Sequence, residues 1–182
     1  MKLLTRTLLS AAALLAITSG SAWAQSQNLQ FEGSGVIVIT GGNSATITND
    51  PGEGGVLFTK SNLIKFVKDK PVSIPIGQAD FSFTSSGAVA GGAPRFSIGV
   101  DTNGDGKYDG FAFLDVNGCG GTAAAPTVVS TNSDTCTVYF NAQVFDNWDA
   151  LVAAYPSAKV SYIPFIVADQ PGTYVLTNID VK

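Results

Sequence analysis

The sequence predicts an all-β fold, an antiparallel β-sandwich of jelly-roll-like form with one short helix near residues 147–155. Three observations predict it. From Gly33 onward, short apolar runs rich in Val, Ile, Phe and Thr alternate with clusters of Gly, Pro, Asn and Ser. The acidic residues are nearly all Asp, a turn former, and Glu32 and Glu53 are the only glutamates. A single stretch, at the predicted helix, carries a helical repeat of apolar residues.

The chain opens with Lys2 and Arg6, an apolar run over 8–17 and the small-x-small end Ala22-Trp23-Ala24, the pattern of a secretory signal peptide. Residues 1–24 are therefore set apart, and 25–182 are expected to form one domain, secreted or periplasmic, with no membrane insertion.

Residues 36–39, Val-Ile-Val-Ile, are β-branched throughout and predict a strand buried on both faces. Gly41 to Ser44 turns the chain, and 45–48 returns as a hairpin partner. Strands are expected at 56–59, 63–67 and 72–76, the last at an edge because of Pro71 and Pro75. Lys60, Lys65, Lys68 and Lys70 cluster here, as lysines that protect an edge strand do; the rival reading is a site for acidic polysaccharide or an anionic cell surface. Segments 80–84 and 95–100 alternate cleanly and should turn their apolar residues to one core face. Strand character resumes at 111–114, so the acidic loop between joins two strands.

A strand at 135–140 carries Cys136, and a loop over 118–126 carries Cys119. In an exported chain with only these two cysteines, they are expected to bond to each other. Trp148, Leu151, Val152 and Tyr155 share one helical face, Asp146 or Asn147 caps it, and Pro156 ends it. Two strands, 159–167 and 174–181, close the domain.

Charge and composition exclude several functions. Without the signal segment the chain has eight basic and fourteen acidic residues, a net −6, which makes nucleic acid an improbable partner. Histidine is absent, so Ser-His-Asp and Cys-His hydrolases and His-ligated zinc or copper sites are excluded. A carboxylate-type glycoside hydrolase needs a carboxyl pair, and Glu32 and Glu53 both sit in glycine-rich segments.

The strongest local signal is residues 101–110, Asp-Thr-Asn-Gly-Asp-Gly-Lys-Tyr-Asp-Gly. Calcium takes six to eight oxygens, which a tight loop supplies from positions 1, 3 and 5, a Gly at 6 and a carbonyl at 7. Asp101, Asn103, Asp105, Gly106 and the Lys107 carbonyl fit, and Asp109 stands at position 9. Position 12 is Ala112 where an EF-hand has its acidic ligand; Asp115 is expected to replace it if the following strand folds back. Tyr108, inside the loop, is the aromatic best placed to meet a ligand.

This loop resembles those of dockerins and thrombospondin calcium repeats. The order of strands, calcium loop, Trp148 helix and final strand over 31–182 is similar to that of bacterial secreted jelly-roll domains of the carbohydrate-binding-module or lectin-like kind. The resemblance implies glycan or cell-surface polymer binding. The functional expectation is a secreted, calcium-stabilised, non-catalytic binding module. Its rivals are a self-assembling matrix protein and the carboxylate hydrolase.

Overall fold

The computed structural model describes residues 29–59, 73–162 and 164–181. The strands in chain order are β1 (Leu29–Gly33), β2 (Val36–Gly41), β3 (Ser44–Asn49), β4 (Gly55–Thr59), β5 (Ile74–Pro75), β6 (Phe81–Gly87), β7 (Arg95–Asp101), β8 (Gly110–Asp115), β9 (Thr127–Ser130), β10 (Val138–Phe140), β11 (Gln143–Phe145), β12 (Lys159–Val160), β13 (Phe165–Ala168) and β14 (Gly172–Val181). Among the described residues one α-helix, α1 (Trp148–Ala154), lies between β11 and β12. The predicted all-β sandwich is what the chain forms: two antiparallel sheets packed together with one short helix.

The larger sheet runs β1-β4-β13-β7-β8-β10-β11, and β12 continues the line of β13 along β7 and pairs with β5. The smaller sheet runs β2-β3-β14-β6-β9. The alternation read from the sequence decides which side chains meet between them. Phe96, Ile98 and Val100 of β7 are buried, as are Phe81 and Phe83 of β6. Phe96 joins the sheets, with ring centroids 4.9 Å from Phe83 and 6.3 Å from Phe81. Burying one such ring stabilises the fold by about 1.5–3 kcal/mol. Asn49 adds a polar tie, its side-chain amide donating to the carbonyls of Ala168, at the end of β13, and of Gln170 just after it.

Strand β2 corrects one expectation. Residues 36–39 form a strand, but it lies at the edge of the smaller sheet and pairs with β3 alone among the described residues. Val36 and Val38 are 57% and 56% exposed. A β-branched run suits any pleated strand; whether its second face is covered depends on layers that the run does not encode. Residues 45–48 do return as its hairpin partner.

The 159–167 stretch is two strands rather than one, and Pro164, with no N–H to give a ladder, separates them. Cys136 precedes β10 rather than lying in it. Strands β1, β9 and β11 have no counterpart among the sequence-predicted elements. Of 72–76, Ile74–Pro75 pairs at an edge as expected. The 63–67 strand, the four clustered lysines and the signal segment lie outside the described residues.

Helix α1 is capped by Asn147, whose side chain accepts from the Ala150 N–H at 2.9 Å, so Asn147 rather than Asp146 starts it. Trp148 and Leu151 are buried, and the Trp148 indole N–H donates to the Ile76 carbonyl at 2.8 Å. No helix among the described residues is long and apolar enough to cross a membrane.

Candidate functional site

The loop between β7 and β8 is built by its own side chains. Asp101, at the end of β7 and 1% exposed, accepts from the backbone N–H groups of Asn103, Gly104 and Gly106 at 3.1, 2.6 and 2.9 Å. The Asn103 side-chain oxygen accepts from the Asp105 N–H, and Asp105 from the Lys107 N–H, each at 2.8 Å. Asp109 closes the loop, taking the Thr102 N–H and hydroxyl on one oxygen and the Asn103 side-chain amide on the other. The Thr102 hydroxyl bond, then the Thr102 N–H, hold the Asp109 carboxyl below its usual range. Each Asx side chain thus supplies the turn that the next residue needs.

Five of the sequence-predicted metal residues, Asp101, Asn103, Asp105, Lys107 and Asp109, share this loop. Asp115 does not join them. It pairs with Arg95 at the far end of β8, whereas Gly110 beside the loop pairs with Val100, and five residues of strand separate the ends by roughly 17 Å. Asp115 instead accepts from the Gly118 N–H at 2.6 Å and fixes the turn that carries Cys119. That turn is bonded to Cys136, as the cysteine pairing predicted.

The donor set suits calcium in chemistry, since every side-chain ligand is a hard oxygen. An ionised carboxylate has about four lone-pair sites, and Asp101 uses three of them on backbone amides. Asp105 accepts from the Lys107 N–H through one oxygen and faces solvent. Among the described residues, no three His, Cys, Asp or Glu side chains form a cation-holding group. The loop carboxylates are aimed at the loop's own donors, and an ion would replace the Thr102 and Asn103 contacts as the restraint on Asp109.

A second feature starts at the same loop. Strand β8 is apolar on both faces: Ala112 and Leu114 enter the core while Phe111 and Phe113 stand on the outer face of the larger sheet. Tyr108, 45% exposed, lies 4.8 Å from Phe111 and 5.4 Å from Tyr162 between ring centroids. Phe111 is 5.6 Å from Phe165, and Phe165 is 5.6 Å from Phe58. Tyr139 continues the row, opposite Phe113 in register. Small residues on β7 make the floor: Ser97 and Gly99 lie opposite Phe113 and Phe111. A Cβ at Gly99 would fall 2.5 Å from that of Tyr162 and 3.2 Å from that of Tyr108, so only glycine fits there.

This aromatic face ends in an open cleft of about 390 Å³, lined by Gly91, Gly92, Arg95, Phe113, Asp115, Tyr139 and Asp169. Arg95 grips Asp169 with two parallel N–H···O bonds of 2.9 and 2.7 Å and lies 5.6 Å from the Phe113 ring centroid. Gly92, with φ +78°, keeps the wall beside Asp115 free of a side chain. The cleft therefore offers rings, a cation and carboxylate oxygens within one surface.

The hydrogen bonds from Arg95, helped by its charge and opposed by burial, hold the Asp169 carboxyl below its usual 3.8. A lowered native pKa stabilises the fold above the unfolded-state value, and that gain disappears as pH falls through about 4 and below. Asp169→Asn is accordingly expected to flatten the acid limb of a plot of melting temperature against pH while leaving its neutral limb nearly level. The effect is small because the carboxylate is 40% exposed. An acid limb of unchanged slope would remove this role for the pair.

Sequence reasoning singles out Tyr108, leaves Tyr162 undecided and misses Phe111, Phe113, Tyr139 and Phe165. The available signal was the 111–114 run, apolar at every position. In a strand at the surface of a two-layer sandwich, that pattern leaves one aromatic face outside the core. Trp148 and Tyr155 are packing residues, as their place on the helical face predicts, and Tyr155 lies against Phe140 and Phe145. Glu53 accepts from the Asp50 N–H in a turn, and Glu32 stands on β1 opposite Val56. The chain matches no protein-family model, and no curated protein matches it.

Proposed function

We propose that this protein is an exported, non-catalytic binding module for a glycan or cell-surface polymer, which lies along the outer face of the larger sheet. The observation that carries the reading is the continuous aromatic row from Tyr108 to Tyr139 ending in the Arg95–Asp115–Asp169 cleft. Sugar rings present C–H groups to aromatic faces and hydroxyls to charged side chains, and a concave surface with a few converging polar groups is where small ligands settle. Asp169, kept ionised by Arg95, suits accepting a hydroxyl better than donating a proton to a glycosidic oxygen. The Cys119–Cys136 bond supports an oxidising compartment, in keeping with the leader-like first 24 residues.

Calcium belongs to this proposal as a stabiliser of the loop that carries Tyr108. Asp101, Asn103, Asp105, the Lys107 carbonyl and Asp109 would hold it, and its charge would rigidify the loop without taking part in chemistry.

Affinity electrophoresis against a panel of cell-wall and storage polysaccharides tests the reading. At least one polymer should retard the protein, and Tyr139→Ala and Tyr108→Ala should each weaken binding roughly tenfold. Retardation by none of them, or full affinity in both variants, would remove the glycan proposal.

A further inference from the structure

The smaller sheet has one edge that is not blunted. Among the described residues, β5 is two residues long and contains Pro75, β11 has three residues, and β9 has four and follows Pro126 directly. Strand β1 carries the charge of Glu32. These are the usual devices against edge-to-edge pairing. Strand β2 has none of them over Val36 to Ile39, and its register shift against β3 falls at its end, between Ile39 and Gly41. It is six residues long with neither charge nor proline, and five of the six, Val36 to Thr40, are β-branched. Only β3 pairs with it among the described residues, so alternate N–H and C=O groups face away from the sheet. Val36 and Val38 project outward and are more than half exposed, while Ile37 and Ile39 meet the core only in part.

We infer that β2 is an interface for a second copy of this chain, pairing antiparallel with the same strand about a two-fold axis. The strand is complementary to itself. Pairing centred on Ile37 sets Val36 opposite the partner's Val38, and Val38 opposite the partner's Val36, on one face of the joined sheet. Opposed β-branched side chains on the same face stabilise such pairs, and a two-fold contact between identical patches is the commonest form of assembly. The two smaller sheets become one continuous sheet, and Ile37 and Ile39 gain cover at the seam. The surrounding outer face, Thr46 and Thr48 of β3 with Thr173 and Val175 of β14, presents no charge to oppose the approach of an acidic copy. The interface is on the opposite sheet from the aromatic face, so it stands or falls apart from glycan binding.

Sedimentation of the purified protein over a concentration series tests the inference, with hydrogen exchange at the same concentrations. The mass is expected to rise from monomer to twice that value, and the exchange of β2 amides to slow in step. Val38→Lys, at a solvent-facing position, should keep the wild-type circular dichroism and lose the dimer. Val128→Lys, on the outward face of the opposite edge strand, should retain it. A monomer at every concentration overturns the inference. So does a dimer that survives Val38→Lys, one lost in Val128→Lys, or β2 exchange that ignores concentration.

Discussion

Asp101→Ala is expected to lower the thermal midpoint by roughly 6–12 °C, from the loss of about 3 kcal/mol when buried amides lose a charged acceptor. Asp101 is fully buried, and one carboxylate serves the N–H groups of Asn103, Gly104 and Gly106. Truncation leaves these donors to find water within a tight turn, and the β7–β8 connection loosens with them. Asp105 is exposed, and the contact it makes with the Lys107 N–H is at the surface, so Asp105→Ala should cost less than about 1 kcal/mol. The pair of variants separates the loop's architecture from its ion. If the loop binds calcium, the ion raises the wild-type midpoint by mass action and a chelator lowers it. Asp105→Ala should lose that response while keeping near-wild-type stability without the ion. A wild-type melting curve identical in calcium and in chelator would remove calcium from the proposed function and leave the Asp101 expectation intact.

Replacing both Cys119 and Cys136 by Ala, or reducing their bond, is the second large effect. The bond joins residues 17 apart, and a closure of that length is worth roughly 3 kcal/mol on the chain-entropy account. It also has a local partner: the Thr137 N–H donates to the Gly118 carbonyl at 2.9 Å, and Gly118 is held by Asp115. Without the bond, the turn that shapes the Asp115 side of the cleft is tied by hydrogen bonds alone. Calorimetry with and without reductant is expected to show a fall in midpoint of roughly 6–12 °C. A midpoint indifferent to reductant and to the double replacement would show that packing around buried Cys136 already fixes the segment.

The fold was legible where a period of two coincides with a two-layer core. Residues 95–100 and 80–84 alternate because one face meets the other sheet, and both are strands with the expected faces buried. The cysteine pairing was legible because composition left no other partner. The position of 36–39 was not, since Val and Ile satisfy a pleated backbone equally well at a centre or an edge. Nor was the placement of Asp115 on the opposite end of β8 from the loop, because a strand runs straight on where the expectation needed it to fold back. The aromatic face escaped for a related reason: an apolar residue in a strand reads as core until the number of layers is known. Three-residue strands such as β11 are too short to carry a period at all.

The glycine at position 99 has a bearing on how the outer face would receive a partner. With no side chain there, the rings of Tyr108 and Tyr162 come within 5.4 Å of each other, and each also leans on Phe111. Two-torsion side chains wedged against neighbours in this way surrender their rotamer freedom when the chain folds rather than when something arrives. A ligand meeting this surface would be spared part of the ordering cost that usually accompanies association.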